Sequence, residues 1–185
     1  MKARKVNGVD PWAPVADGAE RIVRTRLDEL ASFMPRAADP REVEALHDMR
    51  IAAKRLRYVL ELTAPGFGPY AEQSIKITKE LQDLLGEIHD CDVQLPDVRA
   101  FARELLAEDA RAVAGRAKPG AADLDPALVA QAPHRRDHAG LAALTAYLLA
   151  RREVLFASFV EWWAEHERKG FRARLEYAIG ERSGG

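Results

Sequence analysis

The chain has 185 residues, 48% of them hydrophobic and 31% charged, with a formal net charge of −1. That length and balance support a folded protein with a real core and exclude disorder over most of the chain. The single cysteine, Cys91, excludes an internal disulfide and a Cys-rich zinc site, and no run approaches the ~20 apolar residues that span a bilayer. The near-neutral total is silent about anion binding, which follows local charge. Met1-Lys2-Ala3-Arg4-Lys5 is followed by Asn7-Gly8-Val9-Asp10-Pro11 rather than by an apolar signal core, so the expected location is the cytoplasm.

Ala, Leu, Glu and Arg dominate and period-2 alternation is absent, so an all-α fold of antiparallel helices is expected. Residues 1–13 read as a flexible, partly basic leader. A first helix is expected from Asp17 to Met34, with Ile22, Val23, Leu27 and Leu30 inward. Pro35 and Asp39-Pro40 break the chain, and Asp39 suits an N-cap with Pro40 at the first helical position. A second helix follows over Pro40–Thr63 and stops before Pro65-Gly66-Phe67-Gly68-Pro69. A third is expected over Tyr70–Ile88 and a fourth over Pro96–Ala112. Gly115, Pro119, Gly120, Pro126 and Pro133 mark a linker over 113–137, with room for a short helical turn at Pro126-Ala127-Leu128-Val129. Beyond it, His138–Arg168 is helical, with Leu141, Leu144, Leu148, Leu155, Phe159 and Trp162 at helical spacing. Gly170 ends that helix, a last one covers Phe171–Ile179, and Ser183-Gly184-Gly185 is expected to fray. The domain reading is therefore a leader, a four-helix bundle over 14–112, the linker, and C-terminal helices over 138–185 that pack on or extend the bundle.

The second helix carries the functional argument. Leu46, Met49, Ala53, Leu56, Val59 and Leu60 gather on its inward side. His47, Arg50, Lys54 and Arg57 form a stripe about 80° wide and ~15 Å long, well away from the apolar centre. Arg55 lies outside it. Like charges at this spacing repel by roughly 0.2–0.5 kcal/mol per pair, and Glu61 relieves only one end. An elongated anion would turn that repulsion into binding, since guanidinium groups fork onto phosphate oxygens and lysine supplies a point charge. A solvated basic face without a ligand is the competing reading. On the third helix Ile77, Leu81, Leu84, Leu85 and Ile88 point one way, and Lys76, Lys79 and Asp83 another. Gly86, mid-helix, costs about 1 kcal/mol against alanine, which suggests close approach of a helix or a ligand.

His47-x-x-Arg50-x-x-x-Lys54-Arg55-x-Arg57-Tyr58, followed by Leu81-Gln82-x-Leu84-Leu85-Gly86-x-x-His89-Asp90-x-Asp92-Val93, resembles the CHAD domain, the conserved histidine α-helical domain. The resemblance is strong over Glu42–Leu95 and general elsewhere. It implies an all-helical fold, commonly two four-helix bundles related by pseudo-twofold symmetry, and binding of inorganic polyphosphate along a basic groove. Carried over, His47, Arg50, Lys54 and Arg57 are the polyphosphate-binding stripe. Lys79 supports it, antiparallel packing across the Pro65–Pro69 loop would bring Lys76 beside it as well, and Arg55 matches the motif and serves the anion, packing or a rim salt bridge. No cofactor or metal is implied, and the expected location is cytoplasmic, with polyphosphate granules as a place of association. The motif pair occurs once here rather than twice, so the fold is expected to be a shortened or half-degenerate version. Either a half-site binds weakly or a homodimer rebuilds the groove, and Arg151-Arg152 is a candidate remnant of a second basic surface. His89 stands where the family often has arginine, which makes the local charge pH-dependent.

Other chemistries fit less well. His134 and His138 have the i, i+4 spacing of a metal pair, and His47, His89, Cys91 and Asp92 are ligand types, but Arg50 and Lys54 oppose a cation near His47. His47 either contacts phosphate or hydrogen-bonds across the bundle. Asp90 and Asp92 either cap a helix or pair with a base. No nucleophile or Mg²⁺ cradle accompanies them, so catalysis is not expected. Nucleic acid could use the same stripe through its backbone, without base readout. An accessory subunit of a triphosphate-processing enzyme, or a helical interaction module, is a further alternative. Phe156, Phe159 and Trp162-Trp163 read as core or interface residues rather than a ligand box.

Overall fold

The helical periodicity of the sequence is realised in six α-helices with no strand among the described residues, an all-α helical bundle. The computed structural model describes residues 2–120 and 122–181, so the expected fraying of Ser183-Gly184-Gly185 lies outside the described residues. The helices are α1 (Val15–Ala31), α2 (Met34–Ala37), α3 (Val43–Thr63), α4 (Pro69–Ala114), α5 (Arg135–Arg168) and α6 (Phe171–Gly180). They fall into two units, one of Met1–His89 with Val154–Gly185 and the other of Asp90–Glu153. No helix among the described residues is long and apolar enough to cross a membrane.

The first unit holds the main core. Val23, Leu27 and Leu30 of α1, Leu46, Met49, Leu56 and Leu60 of α3, and Leu81, Leu85 and Ile88 of α4 are each at most 2% exposed. Phe159, Leu175 and Ile179 complete the same cluster, with Val59, Leu84, Trp162 and Trp163 packed on it half-buried. One carboxylate lies within this packing. Glu29 is 3% exposed. It accepts hydrogen bonds from Arg26 Nη1 (2.5 Å), Arg55 Nη1 (3.2 Å) and the Arg4 backbone N–H (2.9 Å). Three donors, two of them cationic, stand in for the water a buried carboxylate loses.

Two helix boundaries differ from the sequence reading. The first helix stops at Ala31, where the Ser32 hydroxyl donates to the Glu29 carbonyl (2.7 Å) and competes with the helical ladder. Asp39 does not cap α3. Its carboxylate instead accepts from the Arg41 backbone N–H two residues on (2.9 Å) and from the Arg41 guanidinium. That tight local turn leaves Pro40 outside the helix and moves the start to Val43, with Glu42 at the cap position. The side-chain bond from Arg41 and the backbone bond together hold the Asp39 carboxyl at about 2.

The expected third and fourth helices are one. α4 runs unbroken for 46 residues with Pro96 inside it. Proline in a helix interior costs ~3 kcal/mol or more, which is why it reads as a boundary. Buried Cys91 and Leu95 before it and Leu105 after it hold the helix on both sides. Asp92, read as a cap or an ion-pair partner, pairs with Arg152 through both Nε and Nη2, the latter at 3.3 Å. Arg151 Nη1 approaches the Cys91 sulfur at 3.5 Å, so both guanidinium groups of the suspected second basic surface face the second half of the motif. Burial first, and the Asp92 charge second, push the Cys91 thiol up.

In the second unit the helical turn anticipated near Pro126 is a 3-10 helix, Pro126–Gln131, capped by the Asp125 carboxylate accepting from the Ala127 N–H (2.9 Å). Leu148 is buried as expected, whereas Leu144 is 41% exposed. His134 and His138 clamp Asp109: the His134 backbone N–H donates to Oδ1 (3.0 Å), His134 Nδ1 contacts the same oxygen (2.9 Å), and His138 Nε2 meets Oδ2 (2.9 Å). Burial pushes the Asp109 carboxyl up, but the hydrogen bonds from His138 and His134 prevail and hold it below its ordinary range. A depressed carboxyl contributes stability above its unfolded pKa and loses it as pH falls through the folded value. Asp109→Asn is therefore expected to speed amide exchange over residues 126–140 at neutral pH, measured after correction for intrinsic rates. The difference from wild type should vanish under acid conditions that protonate Asp109.

Candidate anion-binding site on α3 and α4

Because Leu46, Met49, Leu56 and Leu60 commit one side of α3 to the core, His47, Arg50, Lys54 and Arg57 are left along one border of the buried side. The first part of α4 runs antiparallel along that border. Three opposed pairs fix the register: His47 with His89, Arg50 with Gly86, and Arg57 with Gln82.

His47 Nδ1 and His89 Nδ1 lie 3.3 Å apart. The ring centroids are 4.6 Å apart. One Nδ1 must be unprotonated to accept from the other, because two N–H donors cannot share that gap. His47 thus makes the cross-bundle contact, and the partner that sequence reasoning left unnamed is His89.

Arg50 lies across Gly86: a Cβ there would be 3.5 Å from Arg50 Nε. That is ordinary contact for a methyl group, and anything larger would take the guanidinium's place. The group facing Gly86 is a cation from the facing helix, at ordinary contact distance rather than the close approach expected there. Arg50 Nε is itself buried with no acceptor. Neither Arg50 nor Lys54 has a carboxylate partner among the described residues.

The flanking cations are already engaged. Arg57 donates from Nε to Gln82 Oε1 (3.0 Å) and from Nη1 to Glu61 Oε1 (2.6 Å). Its guanidinium lies 4.6 Å from the centre of the Tyr58 ring, and Lys54 Nζ lies 5.6 Å from the same ring. Lys79 Nζ pairs with Asp83 at 3.0 Å, both side chains more than half exposed. Exposed pairs of this kind are worth ~0–1 kcal/mol, so a multivalent anion can displace them. Lys79 precedes Gln82 by about one helical turn and Lys76 by nearly two, and both are exposed. Arg55 is not brought to this border; it turns to α1 and Glu29. Tyr58 and Gln82, which the motif halves contain without a role assigned to them, both contribute here, Tyr58 through its ring beside Arg57 and Lys54 and Gln82 by accepting from Arg57 Nε.

The arrangement suits phosphate oxygens better than a metal ion. Among the described residues no group of three or more His, Cys, Asp and Glu side chains is placed to hold a metal. The border carries two cations without carboxylate partners among the described residues, Arg50 and Lys54, flanked by the ion pairs Arg57–Glu61 and Lys79–Asp83.

Comparison with protein-family models matches the CHAD domain over residues 3–99, just over half of the chain. Comparisons with curated proteins and with solved structures found no match. The match takes in α1 to α3 and the part of α4 that carries the second motif half, which are the elements that build the border described above. The chain therefore belongs to the CHAD domain family.

Proposed function

We propose that this protein binds inorganic polyphosphate along the α3–α4 border and performs no chemistry on it. The observation that carries the reading is the unneutralised pair Arg50–Lys54, with Arg50 Nε buried and lacking an acceptor. A buried donor without a partner costs about 1–3 kcal/mol, which a phosphate oxygen would recover. Arg57 and Lys79 extend the contact by exchanging Glu61 and Asp83 for phosphate, and Lys76 lies further along α4. Polyphosphate fits a row of cations because it repeats a charge on every unit and carries no base or sugar for the site to accommodate. Family membership supports the same ligand class.

Titration of the purified protein with long-chain polyphosphate at several salt concentrations tests this. Counting four or five phosphate contacts, and taking single-stranded nucleic acid as the nearest analogue, the log–log salt slope should be roughly −3. Unlabelled long polyphosphate should compete, and duplex DNA and triphosphate should compete poorly. Equal competition by DNA would make the site a general polyanion binder. A slope near zero would remove the electrostatic reading altogether.

A further inference from the structure

The second unit pairs the latter part of α4 with the first part of α5, and two helices bury only the seam between them. Its buried hydrophobic residues, among those described, are Cys91, Leu95, Leu105, Val113 and Leu148. Apolar side chains are left outside that seam on both sides of the hairpin, and the charges sort with them.

On one side Pro96, Ala142, Ala146 and Leu149 line an open groove of about 880 Å³. His138 in the same groove is turned to Asp109, so Arg99 and Arg103 set its charge. Neither arginine has a carboxylate partner among the described residues, and Arg103 Nε donates to the Arg99 carbonyl (3.1 Å). No acidic residue stands three or four positions from either, the spacing at which a helix supplies one. The other side is the reverse. Phe101, half exposed, lies about 160° around α4 from both arginines. Asp97, Glu104 and Glu108 are exposed within about 60° of it. Asp137 lines the same hollow as Phe101, with Arg136 the one arginine or lysine there. Leu144 and Tyr147, about one and two turns past Gly140 in that hollow, extend the apolar strip along α5.

The charges decide what covers these faces. Either face set against its own copy brings carboxylate to carboxylate or arginine to arginine. Face against groove instead sets Glu104 and Glu108 opposite Arg99 and Arg103, two pairs with the same spacing of ~6 Å along the helix. We propose that copies of this chain associate head to tail, the Phe101 face of one docking into the Arg99–Arg103 groove of the next. Each copy then leaves one face open, so growth continues past a dimer. The groove follows α5 for ~16 Å, from His138 to Leu149, so the contact is small and the association weak. It uses none of the residues read as the polyphosphate site and stands without that reading.

Sedimentation of the full-length protein, freed of polyphosphate, tests this from roughly 5 to 500 µM, where a small interface associates. Wild type is expected to gain mass with concentration, past two chains, and to lose that gain at high salt. Arg99→Glu with Arg103→Glu reverses the groove's charge, and Phe101→Glu places a carboxylate on the opposite face. Each variant alone is expected to stay monomeric, and both should melt near wild type because all three positions are exposed. Mixed, the first variant still offers its Phe101 face and the second its groove, so a one-to-one dimer should form and grow no further. Both variants are more acidic than wild type, so general charge attraction cannot produce that dimer. The proposal is overturned if wild type stays monomeric or stops at a dimer, or if either variant associates as wild type does. A mixture that stays monomeric overturns it as well.

Discussion

Reversing charge at Arg50 and Lys54 together, as Arg50→Glu with Lys54→Glu, will abolish polyphosphate binding and leave the circular dichroism spectrum and thermal melt nearly unchanged. Charge-assisted hydrogen bonds are worth about 1.5–3 kcal/mol each, so losing two of them weakens binding by a factor of roughly a hundred or more. The two new carboxylates add repulsion to that loss. Stability should hardly move, because neither cation has an ion-pair partner to lose. Placing acidic residues between His47 and Arg57 also relieves repulsion along the stripe. Fluorescence anisotropy with labelled polyphosphate, beside a melt of the same sample, checks both halves. Retained affinity in the folded double variant would move the site off α3.

Leu56→Asp will unfold the first unit. Leu56 is 0% exposed at the middle of α3, packed among Val23, Leu27, Leu60 and Leu81 in one core. Removing the leucine forfeits ~1.5–3 kcal/mol of burial, and the carboxylate then faces an apolar site with no donor in reach, for several kcal/mol more. The sum rivals the ~5–15 kcal/mol that holds a whole domain together. Leu56→Ala, costing about 2–5 kcal/mol, should remain folded with a lower melting temperature. Urea titration followed by circular dichroism separates the three proteins. An aspartate variant that melts like wild type would show the inward face of α3 to be misassigned.

The contrast between these variants rests on what periodicity reveals. The inward face of α3 was legible because Leu46, Met49, Ala53, Leu56 and Leu60 repeat at helical spacing, and all five are buried. Gly86 stood out for a related reason, since a mid-helix glycine is costly, and the group that faces it is Arg50, whose Nε would lie in ordinary contact with a Cβ there, 3.5 Å away. Elements decided by distant partners were not legible. Pro96 and the Asp90–Asp92 pair look like a helix boundary locally, yet Arg152, 60 residues from Asp92, takes that carboxylate. Glu29 sits between Leu27 and Leu30 and looks like an ordinary surface charge, until Arg55 turns toward it. The same applies to the His47–His89 contact, which joins positions 42 residues apart. At the site, spacing alone placed Arg50 and Lys54 on one border of α3 and set Glu61 beside Arg57, and the fold adds that Gln82 takes Arg57 Nε while Arg50 and Lys54 have no carboxylate partner among the described residues.

The hold on Glu29 bears on how the beginning of the chain can change over evolutionary time. At Arg4 the main chain does the work: its N–H donates to Glu29, and its carbonyl accepts from Arg26 Nη1 at 2.9 Å. Every amino acid but proline supplies that same pair of groups. The side chain adds one exposed bond to Ser32 at 3.2 Å. Position 4 is thus free to drift in charge and size without losing these main-chain bonds to α1, and only a proline there would take away the backbone donor to Glu29.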